Sequence, residues 1–236
     1  MSQVLKMDRP LVSVDTVIFT VHEQSLQVLL VRRPEVATDP YPAMWALPGG
    51  FVDTTRDANL ESCARRKLRD KTGIDAPYLE QLGSWGSATR DPRGWSTTHV
   101  YFALLAHASL TPGGNAIDTQ WVAQGPQRLR ERLAFDHAEL LSAALARLRA
   151  KVEYTSLPLY LMGPEFTLSE LQKTYEIVLA RALEKKAFRT RILSAQILEP
   201  VPRMKSGSTR PAQLFRVKSR RKAHTFARPF GSAAAP

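Results

Sequence analysis

Positive charge is concentrated in one part of this 236-residue chain, and this limits how the chain can fold. The segment 181–224 holds 13 Lys or Arg and 2 Asp or Glu, whereas the rest of the chain holds 20 of each kind. The whole net charge of +11 therefore lies in this segment. The pattern predicts a neutral N-terminal part followed by a basic part that binds a polyanion, unless the basic stretch is only a solvated tail.

Composition indicates a packed, intracellular protein. Hydrophobic residues make up 44% of the chain, which is enough for a core. No stretch approaches ~18 consecutive apolar residues, so we expect no membrane span. The N-terminus lacks the apolar region of a secretory signal, and the single cysteine, Cys63, has no partner for an internal disulfide. Together these features predict a cytoplasmic location.

The apolar periodicity predicts strands that frame helices in a first domain, residues 10–153. Segments 11–21 and 26–33 have the pattern of a β-hairpin, and segments 60–72 and 138–152 have that of amphipathic helices. We expect Asp136 to cap the second helix. Pro and Gly at 157–165 predict a linker near the start of a second domain, residues 154–222. The remaining residues, 223–236, are expected to be a disordered tail.

The second domain has the element order of a winged helix-turn-helix. Thr167-Leu168-Ser169-Glu170 is a capping box that predicts a helix at 168–182, and a basic helix follows at 185–195. Strands are predicted at 197–201 and 212–217, with a basic loop at 202–211 between them. This order suits duplex DNA, and Arg189, Thr190 and Gln196 are candidates for reading bases. The residues expected to bind DNA are Lys185, Lys186, Arg189, Thr190, Arg191, Arg203, Lys205 and Arg210.

Residues 47–52 and 66–74 resemble the Nudix box, G-x5-E-x7-R-E-U-x-E-E-x-G-U, where U is a bulky aliphatic residue. The matching residues are Gly50, Arg66, Leu68, Gly73 and Ile74, although the spacing from Gly50 to Arg66 is two residues longer. In the family, glutamates on one helix face bind magnesium. Here three of those helix positions hold Lys67, Asp70 and Lys71, so we predict neither catalytic residues nor a metal site.

The same region could still bind an anionic nucleotide without a metal. Gly49 and Gly50 let a phosphate approach backbone N–H groups. Arg93 could bind a phosphate and Trp95 could stack on a base, although their segment could also be a hairpin turn with a packed tryptophan. The residues expected to bind a ligand are Arg32, Gly49, Gly50, Arg66, Arg93, Trp95 and His137.

Taken together, residues 12–216 resemble the Nudix-related transcriptional regulators (NrtR) of bacterial NAD metabolism. The resemblance rests on the degenerate box and on segments 13–15, 90–96, 134–137, 166–175, 188–193 and 210–212. It implies an α+β protein with a Nudix-like α/β/α sandwich, built on a mixed sheet, followed by a winged helix-turn-helix domain. It also implies a homodimeric repressor of NAD-metabolism genes that binds a palindromic duplex operator, senses ADP-ribose or a related nucleotide, and needs no cofactor.

Two other functions stay open at this point. An active Nudix hydrolase, an ADP-ribose or nucleotide-sugar pyrophosphatase with a basic appendage, would need magnesium. The carboxylates available to hold it are Asp53, Asp57, Glu61 and Asp70. An RNA-binding protein would bind RNA and duplex DNA with comparable affinity, whereas a repressor would prefer one duplex operator.

Overall fold

The structure, a computed structural model, describes residues 9–73, 75–107, 118–123, 133–206 and 211–230. The first part contains β1 (Leu11–His22), β2 (Ser25–Arg32), β3 (Trp45–Ala46), β4 (Gly49–Phe51), α1 (Leu60–Thr72), β5 (Tyr78–Ser87), β6 (Ser96–Leu104), β7 (Asp118–Ala123) and α2 (His137–Val152). The second contains a 3₁₀ helix (Leu157–Leu161), β8 (Phe166–Thr167), α3 (Leu168–Leu179), α4 (Lys185–Ser194), β9 (Leu198–Lys205) and β10 (Ala212–Val217). Among all the residues that the structure describes, no helix combines the length and apolar character needed to cross a bilayer.

Within the described ranges, seven strands form one mixed sheet with β1 at its centre. β1 runs antiparallel to β2 and β4 and parallel to β6, and β5 and β7 extend the two sides. Alternate side chains of β1 face opposite sides of the sheet. Ile18 packs with Leu68 of α1, whereas Val17 and Phe19 join the core that contains Leu140 of α2. The predicted α/β/α sandwich is confirmed.

Local caps explain which helix limits could be predicted. Asn59 accepts a hydrogen bond from the Ser62 N–H (2.8 Å), and Gly73, with φ of 70°, ends α1 at its predicted limit. Asp136 was expected to cap α2, but it makes no side-chain cap hydrogen bond. Its carboxylate instead accepts two hydrogen bonds from Arg90.

The winged helix-turn-helix is confirmed, with differences in its limits. The capping box starts α3 as predicted, but the helix ends at Leu179 because Ala180 takes a left-handed conformation (φ 54°). β9 runs to Lys205, so the first part of the predicted basic loop is strand. Its prolines are tolerated because β9 is an edge strand, in the order β8-β10-β9. Arg210 lies outside the described residues.

The segment between the two domains is not the predicted linker. Residues 157–161 form the 3₁₀ helix, and all five are buried; its three leucines and Tyr160 belong to the largest hydrophobic cluster. Tyr160 lies with its ring 5.0 Å from the ring of Tyr78 in β5. Pro158, Gly163 and Pro164 predict a loop, but the apolar residues between them need burial. The sheet, α2 and the winged helix therefore share one core.

Part of the predicted disordered tail is packed onto the protein. We call residues 218–230 the C-terminal segment. Its N–H groups at Phe226 and Phe230 donate to the carbonyls of Tyr154 and Glu153, both at 2.7 Å. Phe226 is 7% exposed, and the Phe230 ring lies 4.9 Å from that of Tyr175. Aromatic burial thus orders residues 223–230, contrary to the prediction, while 231–236 lie outside the described residues.

Candidate functional site

A cavity of about 240 Å³ opens beside the centre of the sheet. Its walls come from β1, β2, β4, α1 and the turn that precedes α2. Five of the seven predicted ligand-binding residues line it: Arg32, Gly49, Gly50, Arg93 and His137. Sequence analysis did not assign a ligand role to Asp15, Arg33, Phe51, Arg90, Asp91 or Phe135, which also line it.

Gly49 and Gly50 form one wall of the cavity, where the chain bends at Pro48 and enters β4; we call this the Gly49–Gly50 turn. A Cβ at Gly49 would lie 1.9 Å from Oδ1 of Asp15 and 2.6 Å from the carbonyl of Val14, so no larger residue fits. Gly50 has a φ of 145°, which also favours glycine. The Nζ of Lys67 lies 3.1 Å from the place where a Gly50 Cβ would stand. The Gly49–Gly50 turn and a lysine therefore meet at one edge of the cavity.

His137 lies deep in the cavity wall and is 3% exposed. Its Nδ1 accepts a hydrogen bond from the Leu47 N–H (2.9 Å), which assigns the proton of the neutral ring to Nε2. Nε2 lies 3.7 Å from Oδ1 of Asp15. Burial lowers the pKa of His137 and outweighs the opposing charges of Asp15 and Asp136. In its neutral form, His137 thus holds in place the backbone that leads from β3 to the Gly49–Gly50 turn.

Arg90 is a buried cation at the same wall, with 8% exposure. Its Nε and Nη2 donate to the two carboxylate oxygens of Asp136 (2.9 and 2.8 Å), and Nη2 lies 3.8 Å from Asp15. Burial opposes the charge, but the hydrogen bonds with Asp136 and the nearby carboxylates together raise the pKa of Arg90. Arg90 therefore contributes a permanent, fixed charge, which its sequence context did not reveal because its partner is 46 residues away.

Aromatic rings and guanidinium groups form the mouth of the cavity. The Cζ of Arg93 lies 4.9 Å from the ring centre of Phe51 and 5.9 Å from that of Phe135. Arg93 also donates two hydrogen bonds to Asp91 (2.9 and 2.7 Å), which fix its plane. Phe135 has a φ of 55°, a rare conformation for a bulky residue and one often found at functional sites. Such a mouth suits a flat ring.

The charge of the cavity favours an anionic ligand. Five Lys or Arg and two Asp line it. Asp39 pairs with Arg33, and Arg90 and Arg93 have the partners given above. Among the residues that the structure describes, Arg32 and Lys67 make no ion pair, and Arg32 donates only to the carbonyl of Ala43 (3.1 Å). These two cations are available to a phosphate.

Trp95 does not line the cavity, contrary to the prediction. Its backbone carbonyl accepts from the Leu11 N–H at the start of the β1–β6 pairing (3.0 Å). Ser96 and Thr98 point toward Arg90 and Asp15, and alternate residues of a strand face opposite sides. Trp95, one residue before Ser96, therefore faces away and is 52% exposed.

Arg66 also lies outside the cavity lining. Its Nε and Nη2 each lie 2.6 Å from an oxygen of Asp57, and its Nη1 lies 3.3 Å from Asp70. The hydrogen bonds from Arg66 hold the pKa of Asp57 well below its usual range. The enlarged loop that follows Gly50 thus supplies a carboxylate that occupies this arginine.

These contacts also decide whether the residues present fit magnesium. Asp57 and Asp70 are engaged by Arg66, and Arg56 lies 3.9 Å from Asp70. Glu61 accepts from Arg65, and Asp53 accepts from Thr55 within its own turn. Within the described ranges, no three His, Cys, Asp or Glu side chains gather as a metal site. The donor set of the box does not fit the carboxylate cage that magnesium requires.

The winged helix carries the second candidate site, on α4. Lys185, Lys186 and Thr190 are exposed on this helix, as predicted for a helix that enters a DNA groove. Arg189 is half-buried and donates to Ser169 Oγ of α3 (3.2 Å). Arg191 is also half-buried, with its Cζ 4.5 Å from the ring centre of Phe230. The two lysines and Thr190 are therefore the most accessible of the predicted α4 residues.

The cations of the wing are partly neutralised within the protein. Arg203, on β9, is 67% exposed and pairs with Glu165, and Lys205 pairs with Glu170 at the start of α3. Arg203 and Lys205 thus remain accessible, but each would exchange a carboxylate for a phosphate on binding DNA. Such an exchange contributes less to the free energy of DNA binding than a contact between a phosphate and an unpaired cation does.

Comparison with known proteins finds relatives of both parts of the chain. A family model of the NUDIX domain matches residues 9–144, and one of the NrtR DNA-binding winged helix domain matches residues 158–217. The chain is 50% identical over 208 residues to the ADPR responsive transcriptional repressor NtrR of Acinetobacter baylyi. That match covers 88% of this chain and 82% of the relative.

Two solved structures show the same architecture. Shewanella oneidensis NrtR, complexed with a 27mer DNA, has a TM-score of 0.79 and 36% identity, covering 92% of this chain and 98% of that chain. The NUDIX domain of that regulator, in a cocrystal with ADP ribose, has a TM-score of 0.57 and 39% identity, covering 62% of this chain and 94% of that chain. Since the family models, the sequence identity and the fold all agree, this chain belongs to the NrtR family of Nudix-related transcriptional regulators.

Proposed function

We propose that this protein is a transcriptional repressor whose affinity for a duplex operator is changed by ADP-ribose bound in the Nudix cavity. The observation that carries the proposal is the cavity itself. It presents the Gly49–Gly50 turn, two cations that form no ion pair within the described residues and an aromatic mouth, and it shares one core with an exposed basic helix. The related NUDIX domain that was crystallised with ADP ribose supports the choice of ligand.

The cavity offers separate places for the pyrophosphate and the adenine ring of ADP-ribose. The pyrophosphate is a dianion, and it would lie against the Gly49–Gly50 turn between Arg32 and Lys67. Lys67 thus supplies positive charge where Nudix hydrolases use metal-binding glutamates. The adenine ring would stack at the mouth against Phe51 or Phe135, beside Arg93.

The DNA-binding half of the proposal rests on α4 and on the related regulator crystallised with DNA. Lys185 and Lys186 would contact phosphates while Thr190 reaches base edges in the major groove. We propose that the protein binds a palindromic operator as a homodimer, because a two-fold pair of such helices reads a two-fold sequence.

We also propose that the protein needs no magnesium and does not hydrolyse ADP-ribose. The carboxylates that would have to hold the metal are engaged by arginines or by their own turn. Incubation of the protein with ADP-ribose and magnesium should therefore release no AMP. Release of AMP that is lost in the D70A variant would overturn this part of the proposal.

A gel-shift experiment tests the regulatory function. The probe is the duplex upstream of the protein's own gene, with a scrambled duplex and the corresponding RNA as controls. We expect preferential binding to the upstream duplex and a change in its affinity when ADP-ribose is added. Equal binding to all three probes, or an affinity indifferent to ADP-ribose, would contradict the proposal.

A further inference from the structure

The C-terminal segment begins just after the residues that match the winged-helix family, and it carries a large excess of positive charge. Its 13 residues include five Lys or Arg and no Asp or Glu. Arg220 is half-buried and donates to the carbonyls of Met162 and Gly163, both at 3.0 Å. The other four, Lys218, Arg221, Lys222 and Arg228, are exposed and form no ion pair within the residues that the structure describes.

These unpaired cations contrast with those of the wing. Arg203, Lys205 and Arg216 each pair with a glutamate of the winged helix. A phosphate that approaches the wing must therefore displace a carboxylate, whereas one that approaches the C-terminal segment meets no competitor. The segment is the better phosphate ligand of the two.

The segment is held in a defined place beside the DNA-binding helix. Phe230 packs against Tyr175 and Phe188, and Arg191 of α4 stacks on it. Between α4 and the segment lies an open groove of about 750 Å³. Its lining includes Lys186, Thr190, Arg191, Ser194, His224 and Arg228. Glu184 also borders it, but its carboxylate accepts from the N–H groups at the start of α4.

We infer that the C-terminal segment is a second DNA-binding element, which contacts the phosphate backbone next to the groove that α4 enters. The inference rests on the proposed function, since it needs α4 to bind a duplex. The groove is continuous with α4, and the segment contributes Arg228 to its wall. Lys218, Arg221 and Lys222 lie earlier in the same segment, which has no Asp or Glu of its own, and such cations suit a phosphate backbone. Because such contacts ignore base sequence, the segment would add affinity and salt dependence without adding specificity.

The test compares the full-length protein with the triple variant R221A/K222A/R228A. A matched control, R9A/R69A/R147A, removes the same charge from exposed residues of the Nudix domain. Binding to the upstream duplex and to the scrambled duplex is measured between about 50 and 200 mM salt. We expect the segment variant to lose at least about tenfold in affinity for both duplexes, and the slope of log affinity against log salt to fall by about 5, because the homodimer loses three cations from each subunit.

The outcomes separate this inference from the proposed function. If the wild type binds the upstream duplex specifically but the two triple variants share one affinity and one slope, the segment does not contact DNA and only the inference fails. If the wild type prefers no duplex, the proposed function fails first. Unchanged thermal melting of the segment variant shows that a loss of binding comes from the removed charges rather than from misfolding.

Discussion

His137 combines a buried position with a hydrogen bond that only its neutral ring can accept. Protonation of Nδ1 would remove the acceptor of the Leu47 N–H and would place a positive charge in the wall that already contains Arg90. Burial lowers the pKa of His137, so the folded protein takes up this proton less readily than the unfolded chain does. Unfolding should therefore become easier as the pH falls below the ordinary histidine pKa of about 6.5.

His137→Asn isolates this contribution, since an asparagine oxygen can accept the same hydrogen bond but does not titrate. Between about pH 7.5 and pH 5.5, the free energy of unfolding of the wild type should fall by about 1 kcal/mol more than that of the variant. Urea unfolding at the two pH values measures the difference, and His107, whose pKa is also lowered, is present in both proteins. Equal losses in the two proteins would show that His137 does not stay neutral in the fold.

Single residues also show where prediction from sequence stops. Gly49 and Gly50 could be assigned because few roles other than a tight turn or a close approach need a glycine pair after a strand. The positions of Arg66 and Trp95 could not be assigned, because each depends on a partner or a strand register that local patterns do not encode. The same holds for Arg90, whose partner Asp136 lies on another element.

At the scale of elements, short segments with local caps were predictable and segments ordered by distant contacts were not. α1 and β10 have their predicted limits. The sequence predicts a linker at 157–165 because of its Pro and Gly residues, and a disordered tail at 223–236 because its end is rich in Pro and Ala. Their order comes from buried apolar side chains, above all Phe226 and the five residues of the 3₁₀ helix.

Phe226→Ala tests whether the C-terminal segment stabilises the fold. Phe226 belongs to the main hydrophobic cluster, so its truncation should lower the free energy of unfolding by about 3 kcal/mol. Thr225→Ala, at the exposed neighbouring position, should change it by less than about 0.5 kcal/mol. Urea unfolding of both variants measures this, and equal small effects would mean that the segment contributes little to stability.

At the scale of the whole molecule, α2 connects the two sites. It begins at His137 in the cavity wall and ends beside α3, where Arg149 donates to the carbonyl of Val178 (3.1 Å). Just after α2, the Thr155 carbonyl accepts from the hydroxyl of Tyr175 (2.9 Å). Charge asymmetry predicted two domains, but it could not show that they share a core, because the apolar residues of the interface resemble those of any domain interior.

Separate sites within one core should be separable by mutation. Arg93→Ala should weaken ADP-ribose binding by about 10- to 100-fold while leaving operator binding intact in the absence of ligand. K185A/K186A should weaken operator binding and, because the homodimer loses two cations from each subunit, lower its salt slope by about 4 while leaving ADP-ribose affinity unchanged. Calorimetry with ADP-ribose and gel shifts with the upstream duplex measure the two effects. Loss of both activities in both variants would contradict two independent sites.

The closure of residues 223–230 onto Glu153 and Tyr154 has a practical consequence for protein engineering. A chimera that joins a different sensor domain to this winged helix cannot simply be cut after residue 153. The chain on both sides of that position is hydrogen-bonded to the C-terminal segment. The graft has to keep the end of α2, the 3₁₀ helix and the last aromatic residues from one parent.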